Sequence, residues 1–98
     1  MNIKEENTGS MLIMHIDGEI DLDKTDDLRA KVGSVIDDNA NIQLDLTQVN
    51  YIDSSGVAVL IEANQKAQEL SKEFSIKPSE AVLSVLKMAK LDSFFKLA

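Results

Sequence analysis

Residues 51–60, Tyr51-Ile52-Asp53-Ser54-Ser55-Gly56-Val57-Ala58-Val59-Leu60, join a strand pattern to a helix pattern. Before them, residues 41–46 alternate between apolar and polar side chains, which predicts a strand with one buried face. After them, a helical pattern continues to about Leu70. The two serines therefore lie where a helix starts, and backbone N–H groups without partners there can bind a capping side chain or an anion.

The segments on either side of this junction predict alternating strands and helices. Strands are expected over residues 3–7, 11–16 and 74–76, and residues 91–98 form an apolar tail expected to cover the core edge. Asp23 or Thr25 can cap a helix that runs to about Asp38, with the apolar stripe Leu28, Val32, Val35 and Ile36. Pro78 suits the first turn of a last helix. The order β-β-α-β-α-β-α predicts an α/β fold, a mostly parallel mixed sheet with helices packed against it.

Composition limits the classes of function. The chain has 98 residues, 44% of them apolar and 28% charged, which predicts one small globular domain. A net charge of −7 argues against a general binder of nucleic acid or of anionic membranes. The absence of Cys and the single His15 argue against thiolate or multi-histidine metal sites. Without an apolar leader or a span of about 20 apolar residues, a cytoplasmic protein with no membrane insertion is expected.

The charge is unevenly distributed along the chain. Residues 1–65 carry 13 acidic and 4 basic side chains, whereas residues 66–98 carry 4 acidic and 6 basic ones. Six of the acids fall between Asp17 and Asp27. This polarity predicts an acidic face that suits a basic partner surface.

The local pattern leaves two interpretations of Ser54 open. A serine at this position commonly caps the helix through its hydroxyl. The same hydroxyl is also a natural phosphorylation site, and a phosphate there adds about −1.5 to −2 charges to an exposed tip.

Residues 51–60 resemble the signature of the STAS domain family, whose founding members are the anti-sigma-factor antagonists. Three further segments agree with the family in order and spacing: Ile16-Asp17-Gly18-Glu19-Ile20-Asp21, Leu44-Asp45-Leu46-Thr47-Gln48-Val49 and Ser75-Ile76-Lys77-Pro78-Ser79-Glu80-Ala81-Val82. The resemblance implies a STAS-like fold over residues 1–98. Lys90 differs from the Gly that the family usually has before its final Leu-Asp, and many relatives continue into a last strand and helix.

The resemblance implies a bacterial partner switch in transcription regulation. The partners would be a serine protein kinase or anti-sigma factor and a cognate serine phosphatase. By position, Ser54 is the phosphate acceptor and Ser55 the second choice. Asp53 would hold the loop, and Gly56 would let a partner approach the backbone closely.

Three neighbouring features are assigned to the partner-binding loop, each with an alternative. Asp21 and Asp23 are expected near Ser54, but Asp23 can instead cap the first helix and Asp21 can simply be solvated. The apolar helix start at Val57 and Ala58 can dock a partner or lie beneath the tail around Phe94 and Phe95.

No pattern in the sequence indicates enzyme chemistry. There is no Gly-x-Ser-x-Gly turn and no glycine-rich phosphate loop, and His15 lies within an apolar strand with a satisfied ring expected. We therefore expect no catalytic residue, cofactor or metal. A rival role is a structural subunit bound permanently to the ATPase of a lipid ABC transport system, because small stand-alone STAS proteins can play that part.

Overall fold

The computed structural model describes residues 1–98, and its elements follow the predicted order. They are β1 (Asn2–Asn7), β2 (Leu12–Ile20), a 3₁₀ turn (Leu22–Lys24), α1 (Thr25–Asp38), β3 (Asn41–Ile52), α2 (Ser54–Glu69), β4 (Glu73–Pro78) and α3 (Glu80–Met88). None of these helices is both long and apolar enough to cross a membrane.

The four strands form one mixed sheet in the order β1-β2-β3-β4. β1 pairs with β2 antiparallel, and the pairs β2–β3 and β3–β4 are parallel. Both parallel connections step in the same direction, so right-handed crossovers carry α1 and α2 to the same face. The predicted α/β fold, with a mostly parallel mixed sheet and helices packed against it, is confirmed.

One face of the sheet carries the core. The 23 buried apolar side chains form a single cluster that draws on all three helices, and the predicted stripe of α1 belongs to it. The opposite face is polar. There the ring of His15 is satisfied at both nitrogens, with Nδ1 2.7 Å from Asp45 Oδ2 and Nε2 2.7 Å from Glu6 Oε1.

The two central strands are longer than their sequence patterns predict. β2 continues to Ile20 and β3 to Ile52, and their pairing shifts register near Asp17 and Glu19. An irregular register breaks the simple alternation of apolar side chains, so the pattern hides the second half of each strand. The consequence is functional, because both strands end beside the start of α2.

Two predicted helix starts are wrong in detail. Pro78 ends β4 rather than opening α3, and Ser79 caps α3 by accepting a hydrogen bond from the Val82 N–H at 3.1 Å. Neither Asp23 nor Thr25 caps α1. Thr25 is its first residue, and the Thr25 hydroxyl donates to the Leu22 carbonyl at 3.0 Å.

The C-terminal tail covers the outer edge of β4. Phe95 is buried and Leu97 forms a parallel bridge with Ile76. The tail therefore takes the place at the core edge that its apolar composition predicts.

Candidate functional site

Asp53 closes the turn between β3 and α2 and caps the helix. Its Oδ1 accepts hydrogen bonds from the backbone N–H groups of Ser55 and Gly56 at 3.0 and 3.1 Å. The same oxygen accepts the Ser55 hydroxyl at 2.5 Å. Three donors on one carboxylate oxygen hold the first turn of α2 in place.

These bonds also determine the charge of the loop. The pKa of the Asp53 carboxyl lies below its usual 3.8. The hydrogen bond from the Ser55 hydroxyl has the largest effect, followed by the bond from the Gly56 N–H. The backbone N–H of Leu22 adds to the same effect, because the end of β2 lies against this loop. Asp53 is therefore a fixed negative charge at neutral pH.

Ser54 is the first residue of α2, and its side chain makes no hydrogen bond within the protein. The interpretation of Ser54 as the helix cap is wrong, because Asp53 occupies that position and binds the free N–H groups. Ser54 is exposed, whereas Ser55 is half-buried and its hydroxyl is engaged. The two serines thus differ in availability although they are neighbours in sequence.

Gly56 is needed for packing inside the domain. A Cβ atom on this residue would lie 2.7 Å from side-chain carbons of both Ile20 and Ile52. Gly56 is buried, so its demonstrated contacts are internal, and the close approach of a partner to its backbone stays a prediction. Its lack of a side chain lets α2 start directly over the ends of β2 and β3.

The acidic residues after β2 lie beside the same loop. The Asp53 N–H donates to the Ile20 carbonyl at 3.3 Å, which brings the next residue, Asp21, to the site. Asp21 is not merely solvated, because it caps the 3₁₀ turn through the Asp23 N–H and pairs with Lys24 at 3.3 Å. Asp23 caps nothing and its side chain is exposed.

The apolar start of α2 is mostly covered. Val57 is buried in the core, while Ala58 is exposed one turn after Ser54 on the same helix face. Phe94 and Phe95 lie beside the second half of α2 rather than over its start. The sequence suggests a wide apolar surface next to Ser54, because the start of α2 is apolar on all sides. In the structure, the exposed part of this surface is narrower.

Two exposed apolar side chains near the loop were not predicted as site residues. Leu22 is 70% exposed after the end of β2, and Tyr51 is 48% exposed near the end of β3. Tyr51 is the first residue of the signature at residues 51–60, but its exposure depends on the shifted register that places it opposite Glu19. The sequence gives little indication that Leu22 belongs to the site, since it shows only an apolar residue between two aspartates.

The site presents an anionic surface formed by Asp53, Asp23 and Asp21. Nowhere in the chain do three His, Cys, Asp or Glu side chains group so that they could hold a metal ion. The exposed Ser54 hydroxyl, the Asp53 carboxylate and the nearby apolar side chains are the chemistry that the arrangement offers.

Comparison with known protein families gives a match over nearly the whole chain. The family described as "Mlab, STAS domain" matches residues 3–97. This range includes Ser54, the Asp53 cap and the C-terminal tail.

Solved structures share the fold at low sequence identity. An anti-sigma factor antagonist from Mycobacterium paratuberculosis superposes with a TM-score of 0.87 at 22% identity, over 98% of this chain and 83% of that one. The anti-sigma factor antagonist SpoIIAA in its unphosphorylated form superposes with a TM-score of 0.79 at 21% identity, over 99% of this chain and 88% of that one. The Bacillus cell fate determinant SpoIIAA in its phosphorylated form superposes with a TM-score of 0.72 at 21% identity, over 99% of this chain and 91% of that one.

Proposed function

Since this chain belongs to the STAS domain family, we propose that it is a non-enzymatic regulatory module of the anti-sigma-factor-antagonist type, switched by phosphorylation of Ser54. The observation that carries the proposal is the contrast between the serines at the start of α2. Ser54 presents a free hydroxyl at the surface, while Ser55 and the helix N-terminus are occupied by Asp53. A kinase can reach Ser54 without disturbing the fold.

The backbone N–H groups at the start of α2 that could bind a phosphate on Ser54 are already engaged. The N–H groups of Ser55 and Gly56 already bind the Asp53 carboxylate, so the helix start cannot also receive the phosphate unless Asp53 leaves. Asp53 and the phosphate also repel each other. The added charge therefore faces the partner, and an interface that binds the free hydroxyl loses affinity without any refolding.

The partner that this surface suits is basic with an apolar contact patch. Asp23 and Asp53 supply negative charge, and Leu22, Tyr51 and Ala58 supply exposed apolar area around Ser54. We assign this partner as a serine protein kinase or anti-sigma factor in the bacterial cytoplasm, with a serine phosphatase that restores the hydroxyl. The phosphorylated form of the structurally similar SpoIIAA supports a switch of this kind.

The test compares variants at Ser54 with a serine outside the site. Ser54→Asp is expected to weaken binding to the cognate kinase at least tenfold, or about 1.4 kcal/mol, and Ser54→Ala is expected to bind without release. Ser84→Asp, at an exposed position on α3, is the matched control and should bind like the wild type. Full-strength binding by Ser54→Asp would overturn the switch, and intact mass after reaction with kinase and ATP locates the phosphate.

A second candidate is a structural subunit bound to the ATPase of a lipid ABC transport system. The description of the matched family names Mlab and the STAS domain and does not mention sigma factors, so this candidate is kept beside the first. An ATPase subunit that copurifies with the wild type and equally with Ser54→Asp would support this role. Binding that depends on the charge at Ser54 would reject it.

A further inference from the structure

One large apolar side chain beside the phosphorylation loop takes no part in the packing of the domain. Leu22 is 70% exposed, although β2 ends two residues earlier at the fully buried Ile20. No residue of the 3₁₀ turn Leu22–Lys24 is buried, so Leu22 does not contribute to the core. Its apolar surface is in contact with water, which is unfavourable unless another surface covers it.

The backbone that carries Leu22 is held by hydrogen bonds on both sides. Asp21 Oδ1 accepts the Asp23 N–H at 3.2 Å, and the Asp21 carbonyl accepts the Lys24 N–H at 3.0 Å. The Thr25 hydroxyl donates to the Leu22 carbonyl at 3.0 Å. Leu22 is thus presented from an ordered turn, which reduces the entropy loss when a partner fixes it.

The same turn has a fixed position relative to Ser54. The Asp53 N–H donates to the Ile20 carbonyl at 3.3 Å, and a hydrogen bond from the Leu22 N–H helps to lower the pKa of the Asp53 carboxyl. Gly56, in the first turn of α2, packs so closely that a Cβ on it would lie 3.2 Å from the Ile20 carbonyl oxygen. A partner that covers Leu22 therefore also meets the surface that carries the Ser54 hydroxyl.

The surroundings of Leu22 indicate the chemistry of the surface that would cover it. Tyr51, 48% exposed on β3, adds a second apolar side chain near the loop. Glu19 and Asp23 are exposed on either side of Leu22 in the sequence, and neither forms an ion pair. An apolar side chain with unpaired carboxylates around it is complementary to an apolar pocket with Lys or Arg at its rim.

We propose that Leu22 is the apolar anchor of the partner interface, and that the partner receives it in an apolar pocket rimmed by basic side chains. This inference rests on the proposed function, because the partner is the serine kinase or anti-sigma factor that binds beside Ser54. A leucine that is mostly exposed in the free domain gains apolar burial when a pocket covers it, and a few such residues carry most of the affinity of an interface. Leu22 thus sets the affinity, and the charge at Ser54 switches it.

The test measures binding of the full chain to the purified serine kinase that phosphorylates it, by titration calorimetry. Leu22→Ala is expected to weaken binding by about tenfold or more. Leu22→Met should retain most of the affinity, because it keeps the apolar volume. Leu70→Ala is the matched control, since Leu70 is 46% exposed at the far end of α2, about 24 Å from Ser54 along the helix axis. It should bind like the wild type.

Two further measurements distinguish an anchor from a structural residue. Leu22→Ala should leave the midpoint of urea unfolding unchanged, because Leu22 is not part of the core. The heat-capacity change of binding should become less negative in Leu22→Ala, because less apolar surface is buried. Asp23→Asn should instead reduce the salt dependence of binding, because it removes a charge that faces the basic rim.

Ser54→Asp, measured in parallel, separates failure of this inference from failure of the switch. Weak binding by Ser54→Asp with unchanged binding by Leu22→Ala would support the switch and overturn the anchor. Full binding by Ser54→Asp with weak binding by Leu22→Ala would support the anchor and overturn the switch. Equal losses in Leu22→Ala and Leu70→Ala would also overturn the anchor, since the loss would then not depend on the position beside Ser54.

Discussion

The Ser55 hydroxyl donates a 2.5 Å hydrogen bond to the same Asp53 oxygen that caps helix α2. Ser54, one residue earlier, has no such bond and faces solvent. The carboxylate therefore does two things at once: it anchors the helix start, and it leaves a single hydroxyl free. The signature contains two adjacent serines, but because Asp53 binds the Ser55 hydroxyl, only the Ser54 hydroxyl is free to accept a phosphate.

The stability of this helix start should depend on Asp53. Asp53→Ala removes the acceptor of three hydrogen bonds and is expected to lower the midpoint of urea unfolding. Asp53→Asn retains an acceptor oxygen suited to a cap and should restore most of the midpoint. Equal midpoints for wild type and Asp53→Ala would show that the cap does not stabilise the fold.

The same relationship predicts which serine a kinase modifies. With Asp53 present, phosphate is expected on Ser54 alone, because the Ser55 hydroxyl is engaged and half-buried. In Asp53→Ala the Ser55 hydroxyl is released, so phosphate should also appear on Ser55. Peptide mass spectrometry after a timed kinase reaction measures the two sites, and predominant modification of Ser55 in the wild type would contradict the assignment.

The sequence predicts the order of the elements and the position of the serines because both follow from local patterns. Periods of two and of 3.6 residues identify the strands and helices, and the junction at residues 51–56 follows from them. It does not predict which residue caps α2, because serine and aspartate are both good caps. Nor does it reveal the exposure of Tyr51, which depends on a register shift between two strands.

The packing role of Gly56 also cannot be predicted from the local sequence, because it depends on contacts with Ile20 and Ile52. Substitution of Gly56 tests this packing directly. Gly56→Ala places a Cβ 2.7 Å from Ile20 and Ile52 side chains. Overpacking of this kind costs typically about 1–3 kcal/mol, partly offset by the better helix propensity of alanine, which is worth roughly 1 kcal/mol. We expect net destabilisation in chemical unfolding. Ala58→Gly, at an exposed position two residues later, is a control that loses only helix propensity.

Phe95 tests how far the tail stabilises the domain. It is 5% exposed and closes the core beside β4. Truncation of a buried phenylalanine costs about 3–5 kcal/mol, so Phe95→Ala should unfold at a much lower denaturant concentration. Phe94→Ala, at the exposed neighbour, should change stability far less. Similar midpoints for the two variants would show that the tail is not part of the core.

His15 predicts how stability changes with pH. The pKa of His15 is raised above its usual 6.5. The hydrogen bond to Glu6 has the largest effect, followed by the hydrogen bond to Asp45. The protonated ring donates to both carboxylates, whereas the neutral ring has only one N–H to donate. A group with a raised folded pKa contributes stability that is complete below the unfolded pKa and disappears as pH rises through the folded pKa.

The free energy of unfolding should therefore fall as pH rises from about 6.5 through the folded pKa of His15. Urea unfolding between about pH 5 and pH 8 measures this slope. His15→Gln should flatten it, and Glu6→Gln should move it to lower pH, because the partner with the largest effect is neutralised. A slope of equal size in His15→Gln would assign the pH dependence to other groups and leave the bridge from β1 through His15 to β3 without a role in stability.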